Sequence, residues 1–345
     1  MTEAHPADFQ IPHSLFDSAG MGRLAALAIW QESMGALYDV RLRAHDEAGF
    51  QSRAEAFHFG EVVLTAYRCS AQTFDRSRAR IGRDGIDHYT LQFCLSGRHG
   101  RRDGAGGGEA GRGDLLIADL AQPHATATSD FDSLNLTIPR RLFAPLLNAA
   151  DEQNLRLISG AAPLTALFRN HLTGLFAAAR TMSGEEAESV VAPTLAMAAA
   201  VLNAETPGNS AGVADPVLAS QVRHFLSDRA TDPTITAESV AGRFGISRRK
   251  LYYLMEPHGG FTACLREHRL HLAHAMLRDP MQRGRSIAEV AEGCGFAWRT
   301  NFARTFRARF GMTPREARAL AGQYAVPPTE GLTGRHMWDW IRMLR

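Results

Sequence analysis

Cysteine is scarce in this chain of 345 residues. There are four, Cys69, Cys94, Cys264 and Cys294, and no two form a C-x-x-C pair. That scatter excludes a zinc knuckle or a disulfide framework and suits a reducing cytosol, so a cytoplasmic protein is expected. Lysine is almost missing: Lys250 is the one lysine among 38 basic residues, a bias that genome base composition explains. No run of eighteen apolar residues occurs, and no membrane span is expected. Residues 1–10 carry two acids, no Lys or Arg and no apolar core, unlike a signal peptide. Catalytic signatures are missing too, with no H-x-H or H-E-x-x-H. Residues 104–108 are glycine-rich but lack the G-K-[ST] ending of a phosphate loop and the helix after it, so they read as a hairpin loop. No repeat of solenoid length is visible.

What remains is an ordinary globular composition, 45% hydrophobic and 21% charged, long enough for two domains. The net charge of +2 conceals an asymmetry. Residues 1–215 hold 18 basic and 25 acidic side chains, net −7, while residues 216–319 hold 17 and 9, net +8. A compact basic segment joined to an acidic one points to nucleic-acid binding by the basic part. Residues 22–38 have a helical apolar face. Residues 61–67, 88–95, 115–118 and 133–138 are short, β-branched and aromatic, as in a barrel or sandwich. In the strand at 88–95 either Tyr89, Leu91, Phe93 and Leu95 or Thr90, Gln92 and Cys94 face the interior; alternation alone leaves both open. From Pro139 the period is helical, over 140–147, 164–180 and 185–204. The last is apolar nearly all round after Val190. It is expected to pack on both sides, whether as a cover for the barrel or against another subunit. Residues 206–212 are built from breakers and read as a linker.

The segment after Asp215-Pro216 holds two stretches of one construction, residues 235–254 and 286–306. Each has a short amphipathic helix with a small residue at a tight crossing, Ala241 or Ala291. A glycine follows four residues later, Gly245 or Gly295, where the turn needs a left-handed backbone. Next come an apolar residue, Ile246 or Phe296, and a second helix. That is a helix-turn-helix, whose second helix can lie in a major groove. Two in tandem within a basic segment are a specific signal.

Over residues 216–319 the chain resembles the AraC/XylS family of bacterial transcription regulators. The match runs through Val240-Ala241, Gly245-Ile-Ser247, Leu251, Arg269-Leu270, Ala273, Leu277, Ile287-Ala-Glu-Val-Ala291, Gly295-Phe296, Phe302-Ala-Arg304, Phe306, Phe310-Gly-Met-Thr-Pro314 and Arg318. Residues 55–145 resemble that family's cupin-like regulatory domain, through the strand at 88–95 with Ser96-Gly97, Gly113-Asp-Leu-Leu-Ile117 and Leu136-Thr-Ile-Pro139. The resemblance implies an α+β protein: an N-terminal cupin-like β-barrel with flanking helices over 1–205, a linker at 206–215, and an all-α DNA-binding domain of two helix-turn-helix units over 216–320. A tail at 321–345, with Trp338 and Trp340, extends past the usual end and is expected to form a short helix packing back on the domain. There are departures. Ala297-Trp298 stands where a capping Ser or Asp is usual, the turn at 257–260 is about one residue short, and Met255 replaces a common Phe.

The resemblance also assigns roles. Arg249, Tyr252, Tyr253, Arg299, Thr300 and Arg304 fall at positions from which family members reach bases or the groove. Ser247 at the helix cap, with Arg248, Lys250, Arg307 and Arg309, is expected at phosphates. Residue periodicity agrees in part: with Leu251, Leu254, Phe302 and Phe306 inward, Arg248, Arg249, Tyr252, Arg299 and Arg307 face out. Arginine can bond guanine bidentately, and tyrosine can touch phosphate or a thymine methyl. The partners expected are promoter DNA, RNA polymerase, a second copy of the chain and a small-molecule effector, and the mode is activation. No cofactor or metal is expected. His58, His88, His99 and His124 are isolated, with His88 and His124 as candidates to line an effector pocket. An effector-free dimeric regulator is one alternative. A metal-dependent cupin enzyme fused to a DNA-binding domain is the other, and it lacks the metal triad such an enzyme needs.

Overall fold

The computed structural model describes residues 10–35, 37–42, 49–102, 108–204, 216–232, 234–256, 259–296, 299–321 and 336–344. The expected linker at 206–215, the Ala297-Trp298 pair and the loop tip at 103–107 lie outside them. The strands are β1 His13–Asp17, β2 Asp39–Leu42, β3 Ser52–His58, β4 Val63–Cys69, β5 Gln72–Arg76, β6 Tyr89–Ser96, β7 His99–Arg101, β8 Leu115–Asp119, β9 His124–Thr128, β10 Phe131–Ile138 and β11 Arg156–Ile158. The helices are α1 Arg23–Met34, α2 Arg78–Asp84, α3 Arg140–Phe143, α4 Pro163–Ala178, α5 Gly184–Ser189, α6 Val191–Ala204, α7 Pro216–Asp228, α8 Ala237–Arg243, α9 Arg248–Met255, α10 Phe261–Arg278, α11 Ile287–Gly293, α12 Arg299–Phe310, α13 Pro314–Ala321 and α14 His336–Met343.

The strands form a seven-stranded sheet, β1-β3-β4-β10-β6-β8-β11, and a four-stranded one, β2-β5-β9-β7, together a cupin-like barrel. The pairings are antiparallel. Leu136 of β10 stands opposite Leu64 on one side and Leu91 on the other. The large sheet is buried on both faces, because its apolar residues do not alternate strictly with polar ones. Its outer face carries Tyr89, Leu91 and Phe93 into a core with Phe168 and Leu172 of α4 and Leu195, Ala198 and Leu202 of α6. Its inner face turns Thr90 and Gln92 toward the barrel interior. The strand at 88–95 therefore points its aromatic residues at the helices and its polar ones inward, while Leu95 is 37% exposed.

Helices α4 and α6 do cover the barrel, and their far sides stay open. Leu164 and Leu167 on α4 and Met197 on α6 are exposed. By length and composition alone the stretch Gly184–Ala204 could cross a membrane. Its Val191, Leu195, Ala198 and Leu202 are instead buried in the barrel's outer core.

Two contacts tie the ends of the chain together. Helix α2 leaves the barrel and places Ile81 in the helical core of the C-terminal half, with Phe302, Phe306 and Phe310. There a Cβ at Gly82 would stand 2.6 Å from the Phe310 carbonyl oxygen, so the close approach requires glycine. In the other direction α14 enters the barrel. Met337, Trp338 and Ile341 are buried with Trp30, Phe74 and Phe131. Trp338 meets Trp30 edge to face at 6.2 Å, and the Ile341 carbonyl lies 2.8 Å from His88 Nε2.

Candidate nucleic-acid interface

The two helix-turn-helix units are built alike. Helix α8 begins with a capping box, in which Thr236 Oγ1 accepts from Ser239 N while Ser239 Oγ accepts from Thr236 N. Helix α11 begins with the equivalent box from Ser286 and Glu289. These caps satisfy backbone donors that would otherwise be orphaned, at about 1 kcal/mol each. Val240 and Ala241, like Val290 and Ala291, are buried. Gly245 and Gly295 take φ of +62° and +78°, and in both turns the next amide, of Ile246 or Phe296, donates to the carbonyl of Ala241 or Ala291 at 3.0 Å. The same glycine and the same small residue thus set the same corner twice. Helix α10, about 27 Å long, joins the units. Its Arg269 donates to the carbonyls of Ala230 and Gly295 at 2.8 and 2.9 Å and so staples one unit to the turn of the other.

The second helices, α9 and α12, bury Leu251, Leu254 and Met255, and Phe302, Phe306 and Phe310. That leaves Arg248, Arg249, Lys250, Tyr252 and Tyr253 exposed on α9, with Tyr252 at 45% and Tyr253 at 59%. Two neighbouring phenols this open to water are unusual without a partner surface. Ser247 Oγ caps α9 by accepting from Lys250 N at 3.1 Å. Arg304 and Arg307 are exposed on α12, Arg304 beside Asn301. Arg299 and Thr300 stand in the first turn of α12; their side chains lie outside what the structure describes.

Arg309 departs from expectation. Read as a phosphate contact, it turns instead toward the barrel, where it pairs with Glu267 and donates to the Ala121 carbonyl at 2.9 Å. The cause is twofold: Glu267 of α10 faces it within the helical half, and the docked N-terminal half adds the Ala121 carbonyl where an isolated helical domain would offer water. Glu267 also meets His271 at 3.0 Å, and His271 lies 3.5 Å from Asp87 of the barrel side. Burial alone would push the Asp87 carboxyl up, but hydrogen bonds from His271 and His88 hold it well below the usual range.

A family model described as an AraC-binding-like domain matches residues 32–203, and one described as a helix-turn-helix domain matches residues 240–319. The chain belongs to the AraC/XylS family. Members of the AraC/XylS family are DNA-binding transcriptional regulators and not enzymes, which removes the metal-dependent cupin enzyme from consideration. The chain is 25% identical over 306 residues to the transcriptional activator NphR of Rhodococcus sp, across 86% of this chain and 88% of that protein. It is 36% identical over 96 residues to the activator RhaS of Escherichia fergusonii, a match spanning 27% of this chain and 33% of RhaS. The solved structure of the AraC-like transcriptional activator CuxR shares the fold, with a TM-score of 0.55 at 22% identity over 83% of this chain and 100% of that one.

The AraC/XylS regulatory barrel of this chain is nearly full. Trp30, Trp338 and Ile341 crowd its interior and leave a cavity of about 50 Å³. Of the two histidines expected at an effector, His124 lines this cavity. Its Nδ1 lies 3.0 Å from the Gln122 carbonyl, its Nε2 has no partner among the described residues, and burial pushes its pKa down to about 4. His88 does not line it; its Nε2 meets the Ile341 carbonyl and so anchors α14, while its Nδ1 lies 3.5 Å from Asp87. A larger cleft, about 700 Å³, opens between the barrel and the helical half. His88, one of the two histidines expected at a pocket, lines this cleft; the rest of its walls come from segments far apart in the chain, and sequence reading did not bring them together.

Proposed function

We propose that this chain is a cytoplasmic transcriptional activator that binds promoter DNA through α9 and α12 and responds to a small molecule. The observation that carries the DNA-reading part is the paired corner: two equivalent helices, each with an arginine-rich outer face, set by Gly245 and Gly295 within a segment of net charge +8. In this reading Arg249, Tyr252, Tyr253, Arg299, Thr300 and Arg304 contact bases or groove walls. Ser247, Arg248, Lys250 and Arg307 contact phosphates. Activation is supported by the names of the relatives NphR and RhaS, and it would bring RNA polymerase to the site. Dimerisation is supported by the apolar far sides of α4 and α6, with Leu164, Leu167 and Met197 exposed.

The test is a titration of the full chain against its promoter and against single-base variants, at several salt concentrations. Binding should weaken steeply with salt as counterions are released. Arg249→Ala and Arg299→Ala should each cost roughly 1–3 kcal/mol on the cognate site and relax preference at one base position. Equal losses on every sequence would reassign these residues to the backbone. Binding that ignores salt would sink the reading altogether.

A further inference from the structure

The two helix-turn-helix units are built alike and completed differently. Among the described residues, the apolar core beneath α8 and α9 draws its members from residues 218–265, all within the helical half. The core beneath α12 holds one outsider, Ile81 of α2, buried with Phe302, Phe306 and Phe310. Further contacts bring the barrel half to the end of α12. The backbone at Gly82 runs so close that a Cβ there would stand 2.6 Å from the Phe310 carbonyl oxygen. The Gly82 carbonyl accepts from His274 Nε2 at 3.0 Å, and that ring stacks on Phe310 at 4.6 Å. A Cβ at Gly311, the residue after α12, would stand 3.3 Å from Arg78 Cβ. Helix α2 is itself held fast. Ser77 Oγ accepts from Arg80 N at its start, and Gly85 closes it with φ of +64°. Buried Arg76, at the end of β5, donates to both oxygens of Asp84 and to the carbonyls of Leu37, Leu120 and Ile86, at 2.6 to 2.9 Å. Paired so fully, this guanidinium pins the helix to the barrel. The first unit meets the barrel half through α7, beside residues 144–146, and α7 carries none of the residues assigned to DNA.

We propose that α2 is a peg on which the second reading helix is set, with Ile81 as a positioning residue for α12. The barrel half then governs the pose of α12 directly, and that of α9 only at second hand, through α10 and the Arg269 staple. A packed core transmits a shift because it has no voids to absorb it. Side chains that recognise a partner need their geometry held to within about 0.5 Å. A movement of α2 is therefore felt more strongly in what Arg299, Thr300 and Arg304 read than in what Arg249, Tyr252 and Tyr253 read. For base reading this rests on the function proposed above; for the setting of α12 it does not.

The experiment uses the full chain. Ile81→Ala opens a void against Phe302, Phe306 and Phe310, and Gly82→Ala drives α2 off the Phe310 carbonyl. Ile81→Val is the mild form, and Leu172→Ala, in the barrel's outer core, is the control for instability alone. Amide hydrogen exchange reads the setting of α12. Ile81→Ala and Gly82→Ala should speed exchange over residues 304–310 by about tenfold and over residues 251–255 by less than about twofold. Ile81→Val should show the same pattern at smaller size, which keeps the comparison decisive where Ile81→Ala does not fold. Leu172→Ala should favour neither segment. Equal acceleration in both segments, none in α12, or the α12 pattern reproduced by Leu172→Ala would each overturn the proposal. Base reading is tested on duplexes that the wild-type chain selects from a random library. Positions whose preference falls in Arg299→Ala belong to α12, and those whose preference falls in Arg249→Ala belong to α9. Ile81→Ala should lose about tenfold of preference at the first set and keep the second. Equal losses at both sets would overturn the positioning role. A wild type that selects no duplex would bring down the regulator reading, while the exchange comparison still decides the setting of α12.

Discussion

Arg307 and Arg309 sit two residues apart on α12, and their surroundings separate them. Arg307 is exposed; Arg309 is held by Glu267 and the Ala121 carbonyl. Arg309→Ala should cost about 1.5–3 kcal/mol of stability, the range for hydrogen bonds to charged groups, because Glu267 loses a partner. It should leave the salt dependence of DNA binding unchanged. Arg307→Ala should do the reverse, with stability kept and the salt slope reduced by about 1. Urea unfolding and salt titrations on both variants decide. Histidines give the residue scale its pH dependence. Burial lowers the pKa of His99 and His124 to about 4 and that of His274 to about 3. Their unfolded forms take up protons near pH 6.5 while the folded forms stay neutral. The stability they favour is full above pH 6.5 and is lost as the pH falls toward 4, by roughly 1 kcal/mol per pH unit for each histidine. His271 works the other way. Burial opposes its charge, but hydrogen bonds to Asp87 and Glu267 prevail and raise its pKa, so its contribution is full below pH 6.5 and fades as pH rises through the raised value. Burial lowers His58, His171 and His268 as well, so with six lowered histidines against one raised, unfolding free energy measured from pH 7 to 4.5 should decline; a flat profile would contradict the buried neutral rings.

At the scale of elements, the two turn glycines predict unequal costs. Alanine at either must take a positive φ, worth about 1 kcal/mol. At Gly245 the added Cβ would meet nothing within 4 Å, but at Gly295 it would stand 2.7 Å from the Arg269 guanidinium carbon. Gly295→Ala should therefore displace the staple between the units and cost more than Gly245→Ala in chemical denaturation, by roughly 1–3 kcal/mol, the usual range for overpacking. These corners were legible in the sequence because everything that makes them is local: the glycine, the small residue four positions earlier and the apolar periodicity on either side. The barrel was legible only at its centre. The strands read at 61–67, 88–95, 115–118 and 133–138 became β4, β6, β8 and β10, which are neighbours in the large sheet and are buried on both faces. Strands such as β5, β7 and β9 are three to five residues long and mix Gln, Thr, Arg and His into one buried face, so neither length nor alternation marked them. No reading was made of the α2 stretch, because the partners of Ile81 lie some 190 or more residues further along the chain. The same distance hid the inward turn of Arg309 and the cleft between the halves. Helical position says which residues leave their own core, but not which surface will be waiting for them.

On the scale of the whole molecule, the chain runs from the barrel to the DNA-binding helices and back into the barrel. The end of α14 is thus a structural part of the half that precedes it by more than a hundred residues. Met337 lies 3.5 Å from Thr65 Oγ1, Trp338 packs on Trp30 and Tyr67, and the Ile341 carbonyl meets His88. Trp338 is 3% exposed and borders the small interior cavity. Removing its ring by Trp338→Ala would enlarge that void in a place where Trp30 and Phe74 are fixed by their own packing and cannot collapse to fill it. The expected cost is about 3–5 kcal/mol, typical of a buried aromatic truncated to alanine. The loss should appear in the barrel. Trp30 fluorescence and the first unfolding transition should shift, while DNA affinity measured well below the midpoint should stay near wild type, since α9 and α12 share no core with Trp338. A variant that unfolds at the same urea concentration as wild type would show that α14 is not docked in solution. One that loses DNA binding while fully folded would show that the tail acts on the helix-turn-helix units directly, through the α13 end to which it is joined.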